Sequence, residues 1–226
     1  MINVVENLQA VQSEIEISRR KSVTGEPVTL IAVTKNHGVE MMQQAIDAGA
    51  QHIGENRIQE AAEKFKILNR EVTRHLIGHL QTNKAKQAVR LFDLIHSVDS
   101  EHLAAAIHNA AYSVGKIQDV LIQVNLAKEE TKSGIYEENL PNLIEIIDTL
   151  KNIRLRGFML IAPNYSDVEN CRPLFRRMYE IFAEVQKTRQ NFDYLSMGMT
   201  HDYKIAIEEG SNVVRIGTAI FGERNY

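Results

Sequence analysis

The sequence predicts an α/β fold, a (β/α)8 barrel of the TIM type with an extra N-terminal helix. Short runs rich in β-branched residues alternate with longer segments of helical period, which is the pattern of βαβ units around a parallel sheet. Eight such runs in about 200 residues fit a closed barrel. An open doubly wound sheet is the alternative, but no G-x-G-x-x-G follows the first run, which ends in TKNHG.

The predicted elements fill the chain without a long linker. The strands are expected at residues 28–34, 51–55, 73–79, 93–98, 119–125, 154–160, 193–198 and 212–217. Residues 3–21 carry the amphipathic pattern of the extra helix. A chain of 226 residues has room for one domain of the larger kind, so we expect a single barrel domain over residues 1–226.

Composition disfavours several classes of protein. The net charge is −3, with acidic and basic residues interspersed, so the chain has no field that would gather nucleic acid or a membrane surface. No stretch approaches the roughly 20 apolar residues of a membrane span, and the N-terminus does not have the pattern of a signal peptide. The one cysteine, Cys171, has no partner for a disulfide, and the histidines lack metal-site spacing. We therefore expect a cytoplasmic protein without a metal ion and without partners among nucleic acids or membranes.

The C-terminal ends of the strands are where barrels of this kind hold their functional residues. Lys35 closes the apolar run LIAVT at the first of these ends. Desolvation there favours the neutral amine, which attacks an aldehyde to form an imine. The alternative is a lysine whose stem covers apolar surface while its amine reaches solvent.

Two segments near the C-terminus suggest a phosphate site. YLSMGMTHD and VVRIGTAIFG belong to the seventh and eighth strands, whose loops often bind phosphate in these barrels. Gly217 and Thr218 open a helical segment with free N–H groups, while Ser196 and Thr218 add hydroxyl donors. A plain helix cap and a Ser-Met-Gly turn remain the alternative. Together with Lys35, these segments suggest a phosphate and an aldehyde bound across one mouth.

One loop is unusually polar. AKEETKSG, residues 127–134, follows the fifth predicted strand and is expected at the mouth. It is interpreted either as a solvated charged loop or as a mobile lid.

Several blocks of sequence carry a family resemblance. IAVTKN, IGENRIQE, HLIGHLQTNK, KSG, RGFMLIAP and LSMGMTHDYKIAIEEGSNVVRIGTAIFG, in this order over nearly the whole chain, resemble the pyridoxal phosphate homeostasis proteins. These are single-domain relatives of the barrel domain of bacterial alanine racemase. The resemblance implies pyridoxal 5'-phosphate (PLP) as cofactor, held as a Schiff base, an internal aldimine, on Lys35.

The resemblance also implies roles for other residues. The phosphate is expected at Ser196, Gly217 and Thr218, and the pyridine nitrogen at Arg215. Asn56 and His79 are expected to line the cofactor pocket. Two positions depart from forms frequent in the family, Arg57 in place of tyrosine and Thr200 in place of serine.

The implied function is binding, buffering and delivery of PLP in the cell, with apo forms of PLP-dependent enzymes as partners and no defined turnover. An arginine at the pyridine nitrogen cannot accept its proton, which leaves the ring a poor electron sink. A weak amino-acid racemase is the alternative, and a protein that uses PLP only as a structural ligand or signal is a third. The resembling racemase takes a proton donor from a second domain across a dimer interface. This chain ends at Tyr226, soon after the eighth strand, so we expect a monomer without that activity.

Overall fold

Eight parallel strands close into a barrel, which confirms the predicted fold class. The structure, a computed structural model, describes residues 2–223. Each strand pairs with the next along the chain, and the eighth pairs with the first. The strands are β1 (Thr29–Val33), β2 (His52–Glu55), β3 (Thr73–Leu76), β4 (Leu94–Val98), β5 (Gln118–Val124), β6 (Ile153–Leu160), β7 (Tyr194–Met199) and β8 (Val213–Ile216). All eight lie within one residue of the predicted runs or inside them.

The helices follow the strands as crossover connections, and one precedes them. They are α1 (Val4–Arg19), α2 (Val39–Asp47), α3 (Ile58–Ile67), α4 (Ala85–Leu91), α5 (Glu101–Tyr112), α6 (Leu140–Thr149), α7 (Arg172–Gln186), α8 (Tyr203–Glu208) and α9 (Thr218–Phe221). The predicted N-terminal helix is confirmed by α1, whose N-cap Asn3 side chain accepts the Glu6 amide. The extent of a single domain over 1–226 stays a prediction, because Met1 and residues 224–226 lie outside the described residues.

Helix α1 belongs to the outer layer of the barrel. Its buried residues recur at helical spacing, Val4, Leu8, Val11 and Ile15. They pack with residues of α8, β8 and α9 in one apolar cluster. Burial of this stripe explains why the helix stays attached to the barrel although its outer face is polar.

The main core lies between the strands and the surrounding helices. Phe158 of β6 contacts Phe182 of α7 and Phe192, with ring centroids 6.5 and 4.9 Å away. Inside the barrel, Leu94, Leu121 and Met159 form a separate buried cluster. The interior is therefore filled, and the space for a ligand lies at the ends of the barrel. Within residues 2–223, no helix combines the length and the apolar character that crossing a bilayer requires.

Candidate functional site

Lys35 lies at the C-terminal mouth of the barrel, in the turn after β1. It is half-buried and lines a cavity of about 100 Å³ together with Asn56 and Arg57. The structure thus brings together Lys35 and Asn56, two of the residues predicted for the site.

The turn that carries Lys35 is held from both sides by α3. The Lys64 ammonium donates to the main-chain oxygen of Thr34, at 2.7 Å. Glu60 accepts the amide of Asn36 at 2.5 Å and also binds Lys64 at 2.6 Å. Asn36 has a φ of 63°, in the left-handed region that asparagine tolerates better than most residues. The main chain on each side of Lys35 is therefore fixed by one ion pair.

Glu55 completes this ion-pair cluster beneath the mouth. Its Oε1 atom accepts from the Thr34 hydroxyl at 2.6 Å and from Lys64 at 2.8 Å. Burial raises the pKa of the Glu55 carboxyl, and the hydrogen bond and charge of Lys64 oppose that rise. Lys64 therefore offsets the buried charge while it holds the turn.

Asn56, which lines the cavity, has a buried side-chain oxygen. Its Oδ1 atom is buried, and the structure of residues 2–223 gives it no hydrogen-bond partner. A buried polar atom without a partner is costly, which marks this oxygen as a place for a ligand donor. Gly78 fixes the asparagine main chain, because a Cβ atom at Gly78 would lie 2.3 Å from the Asn56 carbonyl oxygen.

Arg215 is a buried cation beside Ser196. Its Nη1 donates to the main-chain oxygen and to Oγ of Ser196, at 2.8 and 2.6 Å, and its Nη2 donates to the Leu160 carbonyl at 2.9 Å. Burial lowers the pKa of Arg215 to about 10, with Asp202 acting in the opposite direction. These bonds use three of the five N–H donors of a guanidinium, so the side chain retains donors for a further acceptor.

Ser196, which is predicted to bind the phosphate, lies next to Arg215. The side chain is fully buried, and its hydroxyl contacts Arg215 and His96. Its described hydrogen bonds do not include Gly217 or Thr218. The phosphate role of Ser196 stays a prediction, whereas its contact with Arg215 is a feature of the structure.

Gly217 and Thr218 begin helix α9, as predicted. The amides of Ile220 and Phe221 both donate to the Gly217 carbonyl, so the amides ahead of them lie before the first helical hydrogen bond. A Cβ atom at Gly217 would lie 3.2 Å from the Val33 carbonyl oxygen. The glycine thus keeps the start of α9 close to β1, the strand that precedes Lys35.

His79 lies at the rim of the mouth, exposed to solvent. Its Nδ1 atom lies 3.2 Å from the Ser133 hydroxyl, in the polar loop after β5. Asn125 holds the same loop from below by donating to the carbonyl of Glu129 at 2.9 Å. The loop therefore folds back towards the mouth and contacts a predicted site residue.

Sequence reasoning missed two groups of residues. Lys64, Glu60 and Glu55 were not assigned, and neither was the row in which His75 contacts both His52 and His96. The alternation of side chains along each strand could have predicted this row, because the three histidines occupy neighbouring strands. Within the described part of the chain, no three His, Cys, Asp or Glu residues are arranged to bind a metal ion.

Comparisons with known proteins identify the family of this chain. Residues 7–225 match the family model described as alanine racemase, N-terminal domain. A pyridoxal phosphate homeostasis protein of Aquifex aeolicus is 40% identical over 100% of both chains. The chain belongs to the pyridoxal phosphate homeostasis protein family. The Escherichia coli K12 member of this family is 35% identical over 100% of this chain and 99% of its own.

Solved structures show the same relationship. PipY of Synechococcus elongatus, a structure with PLP bound, superposes with a TM-score of 0.86 at 35% identity, covering 97% of this chain and 100% of PipY. Alanine racemase of Clostridium difficile has a TM-score of 0.71 at 17% identity, covering 98% of this chain and 58% of the racemase. The racemase shares the barrel fold with this pyridoxal phosphate homeostasis family member.

Proposed function

We propose that this chain binds PLP with Lys35 as its covalent anchor and takes part in PLP homeostasis in the cell. The observation that carries the proposal is the juxtaposition of Lys35 and Asn56 around one cavity at the mouth. The names of the relatives and the PLP in PipY support it. When bound, the cofactor supplies an aldehyde for the lysine amine and a phosphate for the main-chain donors.

The residues of the mouth have separate roles in this proposal. Gly217 and Thr218 bind the phosphate at the start of α9, and Arg215 directs its remaining N–H donors at the ring nitrogen. Asn56 accepts a donor of the ligand, and His79 lines the rim. Ser196 acts at the site through Arg215, which it orients.

The same residues favour binding over turnover. A guanidinium has no acceptor, so Arg215 cannot take a proton from a ring nitrogen. The cofactor is then a weak electron sink, which disfavours reactions at the amino-acid Cα. We propose that the chain stores PLP and hands it to apo forms of PLP-dependent enzymes as a cytoplasmic monomer, and that racemase activity is at most weak.

The anchor is tested by borohydride reduction of the protein after incubation with PLP, followed by peptide mass mapping. A pyridoxyl group confined to Lys35 and absent from Lys35→Ala is the expected result. Lys187→Ala is the matched control, because Lys187 is exposed at the end of α7 and pairs with the neighbouring Glu184. An adduct scattered over surface lysines would contradict the proposal.

A second measurement distinguishes storage of PLP from catalytic turnover of amino acids. Loaded protein is mixed with an apo-enzyme, and the amount of activity restored is compared with the PLP supplied. Restoration in proportion to the loaded protein is expected. Steady accumulation of a D-amino acid from its L form, absent in Lys35→Ala, would instead establish the racemase.

A further inference from the structure

Three histidines form a hydrogen-bonded row through the barrel interior. Nδ1 of His52, in β2, lies 3.0 Å from Nε2 of His75, in β3. Nδ1 of His75 lies 2.9 Å from Nε2 of His96, in β4. Nδ1 of His96 lies 3.1 Å from the Ser196 hydroxyl, which Arg215 also contacts at 2.6 Å. We call His52, His75 and His96 the histidine relay.

The hydrogen bonds of the relay have one direction. A guanidinium only donates, so the Ser196 oxygen accepts from Arg215. Ser196 is fully buried, and its other hydroxyl partner in the described chain is His96. The Ser196 proton therefore points to Nδ1 of His96. With the opposite direction, this proton would have no acceptor, which is unfavourable in a buried site.

The charge state of the relay follows from its surroundings. Burial lowers the pKa of His96 well below its usual value, and the charges of His75 and Arg215 act in the same direction. His96 is therefore neutral, with its proton on Nε2, and donates to His75. By the same argument His75 donates from Nε2 to Nδ1 of His52, which lies half-buried at the start of β2.

The direction of the relay matters because Arg215 is buried without a carboxylate in hydrogen-bond contact among the described residues. Asp202 acts on it at longer range, while its Oδ1 accepts the Met199 amide. Every O–H and N–H group of the relay points away from the guanidinium. The dipoles of these groups therefore present their negative ends to Arg215. Aligned hydrogen bonds polarise one another and strengthen the acceptor at Ser196.

We propose that His96 is a positioning residue for Arg215, acting through Ser196, and that His75 and His52 hold it in the Nε2–H tautomer. The relay fixes the Ser196 oxygen as an acceptor and so fixes where the guanidinium points. The effect of the relay on PLP binding rests on the proposed function. The tautomers of the three histidines are independent of that function, because they are a property of the protein alone.

The tautomers are measured by long-range proton–nitrogen correlation spectra of protein labelled with 15N-histidine, without PLP, at pH 7. Signals are assigned from single His→Gln variants. The expected result is the neutral Nε2–H tautomer at all three positions of the relay. A proton on Nδ1 of His96, or an imidazolium there, would overturn the proposal.

Two substitutions at His96 test its effect on the cofactor site. The side-chain oxygen of His96→Asn takes the place of Nδ1 and still accepts from Ser196. The amide of His96→Gln reaches the position of Nε2 and contacts His75 instead. We expect His96→Gln to raise the Kd for PLP about tenfold and to shift the visible absorption band, and His96→Asn to stay within about threefold of the natural protein.

His102→Gln, on the exposed face of α5, is the control for a histidine outside the relay. Equal losses in His96→Asn and His96→Gln would show a purely structural role and overturn the proposal. If neither variant folds, the tautomer measurement on the natural protein decides whether the proposal stands. If the natural protein fails to bind PLP, the proposed function is wrong, while the tautomers still test the relay.

Discussion

The Lys64 ammonium lies 2.7 Å from the main-chain oxygen of Thr34, the residue that precedes Lys35. The same ammonium pairs with Glu55 and Glu60, and Glu60 accepts the amide of the residue after Lys35. A lysine of α3 therefore holds the lysine of the site without occupying the mouth. Placement of a reactive amine by a neighbouring rigid helix is the arrangement expected of a preorganised site.

Replacement of Lys64 is expected to affect stability and the anchor together. Lys64→Met leaves the buried Glu55 carboxylate without its partner, and we expect the free energy of unfolding to fall by about 3 kcal/mol. Formation of the PLP adduct at Lys35 should also slow, because the turn loses its hold on Thr34. Urea unfolding and the rise of the visible band measure the two effects.

The matched control is Lys66→Met, on the same helix. Lys66 is exposed and pairs with Glu63 at the surface, so the free energy of unfolding should change by less than about 1 kcal/mol. Adding Glu55→Gln to Lys64→Met removes the uncompensated charge and should restore part of the stability. Restoration of the adduct rate by Glu55→Gln would refute a direct role of Lys64 in holding the turn.

Gly78 is expected to be sensitive to the smallest side chain. Gly78→Ala places a Cβ atom against the Asn56 main chain, at 2.3 Å before relaxation. We expect a loss of about 1–3 kcal/mol in the free energy of unfolding and weaker PLP binding, because Asn56 is displaced from the cavity. Gly38→Ala is the control, because its Cβ atom would meet only the flexible Glu40 side chain. Similar PLP affinity in Gly78→Ala and in the natural protein would remove Asn56 from the proposed site.

The barrel was predictable because its signal is carried by many residues. The eight buried runs and their spacing determine the number and order of strands, and the family blocks single out Lys35 and Asn56, which line one cavity at the mouth. The ion-pair cluster under Lys35 was not predictable in the same way. Lys64 and Glu60 lie on the helix after β2, and only the packing of α3 against β1 brings them to the turn.

The histidine relay was missed for a related reason. His52, His75 and His96 are separated by more than twenty residues each along the chain, so no local pattern joins them. Their contact depends on the register between β2, β3 and β4, which a single sequence does not fix. A separate register, between β7 and β8, pairs Ser196 with Val213 and so brings its hydroxyl to the Arg215 guanidinium.

The relay also predicts how stability depends on pH. Burial, and then the charge of His52, lower the pKa of His75 to about 3. The unfolded chain binds a proton at this histidine near pH 6.5 and the folded protein does not, so stability falls as pH decreases below about 6.5. Between pH 7 and pH 5, His75 alone should reduce the free energy of unfolding by about 2 kcal/mol. The raised pKa of Glu55 acts in the opposite direction, because a protonated carboxyl favours the folded state.

The contribution of His75 is isolated by comparison of variants. Urea unfolding at pH 7 and pH 5 should show a smaller loss on acidification for His75→Gln than for the natural protein. His102→Gln, which removes an exposed histidine, should leave the loss unchanged. An identical loss in His75→Gln and the natural protein would mean that His75 titrates normally in the folded state.

The contact between Ser133 and His79 offers a test of the two interpretations of the loop over residues 127–134. The contact is a single bond of 3.2 Å at the surface, so Ser133→Ala should cost less than about 1 kcal/mol of global stability. It should nevertheless raise the hydrogen-exchange rate of amides in the loop, because the bond ties the loop to the mouth. Hydrogen exchange followed by mass spectrometry measures this, with Ser113→Ala, at the far end of α5, as control.

If the loop is a lid, PLP should slow its exchange in the natural protein and less so in Ser133→Ala. If it is a solvated loop, PLP should leave its exchange unchanged, since nothing then couples the loop to the bound cofactor.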